Sequence, residues 1–273
     1  MKILLVDLHN MIHRARHSFI KGKNAIVFNF FRQLKAELDR HEPDLVYLVS
    51  EGRPKHRLEI SGDYKGNRPK DRDEDFYSQK KIIYELIKEL PVSLAQHDDF
   101  ECDDVIAYMA TRVYGEEDVI IISSDTDFIQ LLERKNVSLW NPIKKKFIEQ
   151  WPVDYLTYKS LKGDPADNVK GVPGIGDKRA RCLAISDATL ERFFEKRPEA
   201  REQYTKARSL IAFGDIETDD PGLKTAIYKN DLTSLYEAFK SMNFKSLTGK
   251  SWVKWENTME RLNESRTKFR TVS

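Results

Sequence analysis

Carboxylates recur in this sequence just beyond apolar runs, and their placement is the first sign of chemistry. Asp7 closes "KILLVD", Glu51 follows "DLVYLVS", and Asp125 and Asp127 follow "DVIII" within "SSDTD". "FECDDVIAY" adds Glu101, Asp103 and Asp104, and "GDPADN" adds Asp164 and Asp167. Gathered in one place, these nine acids would repel, each pushing its neighbours toward protonation. A divalent cation relieves that repulsion. An all-oxygen donor set, with neither paired His nor clustered Cys, suits Mg²⁺, with Mn²⁺ as a substitute, rather than Zn²⁺. Two such ions hydrolyse a phosphodiester by clamping its attacking and leaving oxygens. Taken singly, any of these acids could be a turn residue or a helix N-cap. Asp104 and Asp127 suit that structural role best.

Two cationic features accompany the acids. Residues 52–70, "GRPKHRLEISGDYKGNRPK", carry six Lys or Arg against Glu59 and Asp63. Within them "YKGNR" offers Tyr64 to stack on a base and Lys65 and Arg68 to hold a phosphate. A solvated charged helix is the plainer meaning of such a run, and proximity to the acids favours the phosphate. The second feature, "GVPGIGDKRA", resembles a helix–hairpin–helix turn. Gly171, Gly174 and Gly176 would let backbone N–H groups approach a phosphate, with Lys170, Lys178 and Arg179 reinforcing them. Such a turn contacts sugar-phosphate without reading bases.

The elements that must position these residues are legible as apolar runs. Residues 2–8, 44–50 and 118–125 are apolar and rich in branched side chains, the pattern of strands buried on both faces of a parallel sheet. Ile26, Phe30, Leu34 and Leu38 mark a crossover helix between the first two. Helices over 76–90 and 103–114, a short strand at 91–96 and a hairpin over 137–151 complete an α/β domain ending near residue 150. A helical region follows over 151–243, and the tail 244–273 carries two Trp in "SWVKWENTMERL". In a parallel sheet the carboxyl ends of the strands share one edge, where the ligand crevice opens. That geometry brings the acids together.

The chain has 273 residues, 40% hydrophobic and 33% charged, with a formal net charge of +2. This is the composition of a folded soluble protein and excludes a disordered chain. Cys102 and Cys182 lack metal-ligand spacing and favour a reducing compartment. With no signal peptide and no spanning run, the expectation is a soluble, cytoplasmic monomer.

Together "LLVDLHN", "YKGNR", "ECDDVIAY", "SSDTDF" and "GDPADNVKGVPGIGDKRA" resemble the 5′-nuclease, or flap endonuclease, family. That family includes the nuclease domain of bacterial DNA polymerase I and the phage 5′-exonucleases. "VIIISSDTDFIQLLERKNVSLWNPIKKKF" is most similar to the family's T-even phage branch, of ribonuclease H type, which would place the protein in the cytoplasm of a bacterial host. The resemblance implies a PIN-like α/β catalytic domain over 1–150, with a helical arch over 52–90. It also implies a helix-three-turn-helix element gripping duplex DNA, often with a bound K⁺. By position, Asp7, Glu51, Glu101, Asp103 and Asp125 would serve a first metal and Asp127, Asp164 and Asp167 a second, with Asp104 beside them. Lys65 and Arg68 match cations that steer the scissile phosphate, and Tyr64 matches an aromatic that stacks on the end base. One departure stands out, because the family usually has Asp where this chain has Glu51. The expected activity is Mg²⁺-dependent cleavage of branched or nicked duplex DNA and RNA–DNA hybrid at 5′ ends. The rival functions are a non-catalytic junction binder and a PIN-type RNA endonuclease. The Trp-containing tail either packs on the core or docks on a sliding clamp or a single-strand-binding protein.

Overall fold

The structure, a computed structural model, describes residues 1–69, 72–228 and 230–270; Lys70, the last cation of the basic segment, and the final residues of the tail lie outside them. In chain order the first half comprises β1 (Lys2–Asp7), α1 (Leu8–Arg16), α2 (Ala25–His41), β2 (Leu45–Val49), α3 (Lys55–Ile60), α4 (Glu74–Leu86), β3 (Ser93–His97), α5 (Cys102–Tyr108), β4 (Asp118–Ile122), β5 (Val137–Asn141) and β6 (Lys146–Phe147). The second half comprises α6 (Tyr155–Lys162), β7 (Gly163–Asp164), β8 (Val169–Lys170), α7 (Asp177–Leu183), α8 (Asp187–Lys196), α9 (Glu199–Ile211), β9 (Leu223–Ile227), α10 (Leu232–Ser241) and α11 (Trp252–Arg270).

A seven-stranded sheet runs β6-β5-β4-β1-β2-β3-β9. The five central strands are parallel, and β6 and β9 join antiparallel at the two edges. Apolar side chains of β1 alternate between two cores: Ile3 and Leu5 pack on one face, Leu4 and Val6 on the other. A strand covered on both faces needs such a continuous apolar run. The chain builds outward from β1 through β2 and β3, then crosses back to lay β4 on the opposite side of β1. The carboxyl ends of β1 and β4 therefore flank the point where strand order reverses, where a crevice opens.

Several boundaries differ from the sequence expectation. The expected strand over 118–125 stops at Ile122, leaving "SSDTD" as a loop. The hairpin is shorter than 137–151: Trp140 pairs with Phe147 and Asn141 with Lys146, the Ile148 N–H donates to the Leu139 carbonyl, and the Asn141 side chain caps the turn by accepting from the N–H groups of Ile143 and Lys144. The sheet is not complete at residue 150, because β9 returns to pair with β3. Its side chains are mostly exposed, so it lacks the buried run that reveals a strand in sequence. The segment expected as an arch is laid down at both ends, α3 against α9 and α4 against α2. Between them, Tyr64 and Lys65 reach Glu101 and Arg68 reaches Asp167.

The tail does dock. Trp252, Trp255, Met259 and Leu262 of α11 are buried in the core that holds α2 and α10. Trp255 is 2% exposed and lies 5.7 Å from Phe239 and 6.4 Å from Phe31, centroid to centroid. Both Trp are thus buried in packing against the core. Trp255→Ala is expected to lower the unfolding free energy by about 3–5 kcal/mol, measured as a fall in the urea midpoint. A loss below about 1 kcal/mol would contradict this docking.

Candidate active site

Asp7 ends β1 and caps α1, accepting from the N–H of Asn10 at 2.9 Å. Ser123 Oγ donates to its other oxygen at 2.9 Å. Burial pushes this carboxyl up to about 6, these two hydrogen bonds oppose the shift, and nearby Asp125 adds to it. Asn10 also exchanges hydrogen bonds with Ser124, at 2.7 Å through its Nδ2 and 3.2 Å through its Oδ1. Ser123 Oγ accepts from the N–H of Asp125, and Asp125 accepts from the N–H of Asp127. The β4 loop is thus tied to the start of α1. Glu51, the departure from the family pattern, comes to the same place. Its extra methylene lets one oxygen reach the N–H of Cys102 at 3.2 Å, while the other lies 3.6 Å from His9 Nδ1. Burial in the crevice pushes it up to about 7, with the charges of Asp7 and Glu101 acting in the same direction.

Glu101 and Asp104 form a reciprocal capping box at the start of α5. The carboxylate oxygens of Glu101, Asp103 and Asp104 lie within 4.8 Å of one another, a grouping that could hold a metal ion. Asp104 does not fit the role of ligand. It is fully buried, and its oxygens accept from two nitrogens of Arg57 at 2.8 and 2.6 Å, from the Glu101 N–H and from the Gly214 N–H at 2.7 Å. With both oxygens used, it anchors Arg57. Asp103 stays partly open, is pushed well up by burial and by its acidic neighbours, and shares one small cavity with Asp127, Asp164 and Asp167.

The second set of acids is held by cations. Lys159 of α6 bridges Asp127 and Asp164. Burial still carries Asp127 up to about 6 against the pull of Lys159. Asp164 is half-buried, and Lys159 and the N–H of Ala166 hold it below the usual carboxylate range. Lys65 Nζ lies 2.6 Å from Glu101 and 3.7 Å from Asp167, and Arg68 pairs with Asp167. The expected stacking role of Tyr64 does not match its setting. Tyr64 is buried, its hydroxyl donates toward Glu101 and Asp167, and Arg57 and Lys65 lie against its ring at 5.7 and 5.2 Å. No face of the ring is left for a base.

The glycine turn divides by cause. A Cβ on Gly171 would lie 2.3 Å from the Lys162 carbonyl carbon, so this glycine serves the close approach of the chain after β8 to the end of α6 rather than a ligand. Gly174 is open but has φ +77°, a conformation that itself favours glycine. Gly176 has neither constraint: φ is −92° and a Cβ would meet nothing within 4 Å. Lys170, Lys178 and Arg179 are exposed.

A family model described as the 5′-3′ exonuclease N-terminal resolvase-like domain matches residues 2–158, more than half of the chain. The chain belongs to the 5′-3′ exonuclease family. This family member is 34% identical over 210 residues to DNA polymerase I of Treponema pallidum, covering 69% of this chain and 21% of that protein. It is 29% identical over 208 residues to a 5′-3′ exonuclease of Mycoplasmopsis pulmonis, covering 71% and 69%. The chain thus spans about a fifth of the polymerase and about two thirds of the exonuclease. Its fold is that of the bacteriophage T5 D15 flap endonuclease, solved with DNA and metal ions: TM-score 0.65 at 20% identity, over 98% of this chain and all of that one.

Two residues central to this acidic crevice were not singled out from sequence. Arg57 was one cation of a basic run, and only folding shows it 1% exposed and clamping α5. Lys159 carries no motif signal at all. Asp7 generates a pH prediction for the metal-free protein. Its proton is held more tightly folded than unfolded, so its contribution to stability is full below about pH 4 and is lost as pH rises through about 6. Asp7→Asn should therefore gain on the parent as pH rises from 5 to 7.5 in chelator, by about 3 °C or more in relative Tm. A difference in Tm independent of pH would contradict the raised Asp7.

Proposed function

We propose that this protein is a divalent-metal-dependent, structure-specific 5′-nuclease. It cuts the phosphodiester backbone of nicked or branched duplex DNA near 5′ ends, as 5′→3′ exonuclease and flap endonuclease, and removes RNA from RNA–DNA hybrids during replication or repair. The observation that supports this reading is that Asp103, Asp127, Asp164 and Asp167 line one small cavity, Asp7 feels the charge of Asp125 and Glu51 those of Asp7 and Glu101, and Lys65 and Arg68 pair with Glu101 and Asp167. The donor set is all oxygen, and the burial that raises Asp7, Glu51, Asp103 and Asp127 is the environment a divalent cation would relieve. Mg²⁺ fits that set, and Mn²⁺ can replace it. When bound, such ions supply the positive charge that phosphoryl transfer needs.

The remaining work falls to the chain's own groups. Ser123 and the N–H of Asn10 hold Asp7 in one orientation, and Arg57 holds α5 so that Glu101 and Asp103 face the crevice. Lys65 and Arg68, paired with Glu101 and Asp167 here, are the cations able to turn to a phosphate and steady its developing charge. Tyr64 acts beneath them as a positioning residue. The open backbone at Gly176, with Lys170, Lys178 and Arg179, grips the duplex at a distance from the cut.

Cleavage of a 5′-labelled flap and of a nicked RNA–DNA hybrid should require Mg²⁺, and no product from either would sink the nuclease reading. Lys65→Ala and Arg68→Ala should each slow single-turnover cleavage on the order of 10²-fold while changing binding in Ca²⁺ only a few-fold. Parental rates in both would make this segment a mere charged surface. Gly176→Leu adds bulk where nothing is displaced, so its fold and Mn²⁺ uptake should match the parent while duplex binding weakens by about tenfold. Normal duplex binding would remove the glycine turn from the interface.

A further inference from the structure

One pair of acids in the crevice is already bridged by a cation of the chain itself. Lys159 Nζ lies 2.5 Å from Asp127 and 2.6 Å from Asp164, and all three side chains are less than a fifth exposed. We propose that Lys159 is a positioning residue acting through Asp127 and Asp164 as their built-in counter-ion. It weakens the binding of a divalent ion at that pair and leaves the acids around Asp7 and Asp103 as the tight site. The inference rests on the metal-dependent reading above and adds an asymmetry between its two sets of ligands.

Charge is the first ground. Two carboxylates bridged by one ammonium carry a net charge of −1 rather than −2, and in a partly dry crevice each unit of charge weighs heavily on a divalent ion. A compact ammonium with three donors can also sit between two carboxylates much as a small cation does. An arriving ion must share both acids with it or displace it.

The second ground is how firmly this lysine is rooted. Lys65 also bridges two acids, but it stands in the segment between α3 and α4, at φ +55° and 22% exposed. Arg68 is 55% exposed. Both can leave their acids for a phosphate. Lys159 rises from the middle of α6, whose Tyr155, Tyr158 and Leu161 are buried and which packs on α7 and α9. Its backbone cannot withdraw, so its ammonium stays within reach of Asp127 and Asp164.

Calorimetric titration with Mn²⁺ on the full chain tests this without relying on cleavage. The parent should show one tight event and one weak event. In Lys159→Met the weak event should tighten by roughly tenfold or more. Adding Asp127→Asn should abolish that gain, and Lys159→Arg, which keeps the charge, should leave the parental isotherm in place. Stability gives a second readout that an ordinary structural ion pair would not produce. In chelator Lys159→Met should melt below the parent, and saturating Mn²⁺ should raise its Tm by more than it raises the parent's. If Lys159→Met does not fold, Lys159→Gln removes the charge while keeping a donor and is expected to give the same two results. Superimposable isotherms for parent and variant, or weaker binding in the variant, overturn the inference while the nuclease reading stands. If neither protein takes up Mn²⁺, the metal-dependent reading falls and this inference falls with it.

Discussion

Carboxylates that share a partly dry crevice repel one another, and each must be protonated, paired or supplied with a cation. The parallel sheet creates this condition, since β1, β2 and β4 all end on one edge and deliver Asp7, Glu51 and the "SSDTD" loop to it. Around that edge lies the most buried cation among the described residues. Arg57 neutralises α5 from beneath, bonded to Glu101 and Asp104 and 3.6 Å from Asp103. Removing one partner of such a buried set strands the others, and the resulting cost is large. Compensation is uneven. Asp104 is fully satisfied, Asp164 and Asp167 are paired, and Asp7 and Glu51 have only neutral donors, which is why burial raises them to about 6 and about 7.

The same charges join the helical region to the sheet. Arg57 donates to the carbonyls of Leu210 and Ala212 at the end of α9, and Asp104 accepts from the N–H of Gly214. Across the crevice the Lys65 N–H donates to the Asp167 carbonyl, Asn67 to that of Pro165, and Asn168 to that of Asp63. The segment carrying Lys65 and Arg68 is therefore stitched to the segment carrying Asp164 and Asp167. The turn at Gly176 follows that segment within a few residues. A duplex gripped at Gly176 would thus be held at a set distance from the acids by covalent chain and by packed helices, rather than by a flexible tether.

How much of this was legible in the sequence depends on the type of signal. Strands buried on both faces announce themselves as apolar runs, so β1, β2 and β4 and the acids beyond them could be placed in advance. β9 could not, because an exposed edge strand needs no such run and is defined by a partner far along the chain. Residue type pointed to Tyr64 as a stacking ring, but burial, which depends on the fold, turned it into a support for Glu101 and Asp167. Gly171 and Gly176 look alike in sequence, and only the close approach of Gly171 to the end of α6 shows that one fills a packing need and the other does not. Lys159 is the clearest case, a single lysine among the chain's 46 Lys and Arg whose role comes from where α6 points it.

The central claim is that these acids form a site for divalent cations rather than a network completed by the protein's own lysines and arginines. The most direct measurement is an anomalous difference map from a crystal of the protein grown with Mn²⁺. The account predicts a strong peak in contact with carboxylate oxygens of the set that includes Asp7 and Asp103, with none at the oxygens of Asp104. A map without a peak in the crevice, while the crystal shows Mn²⁺ elsewhere, would contradict it.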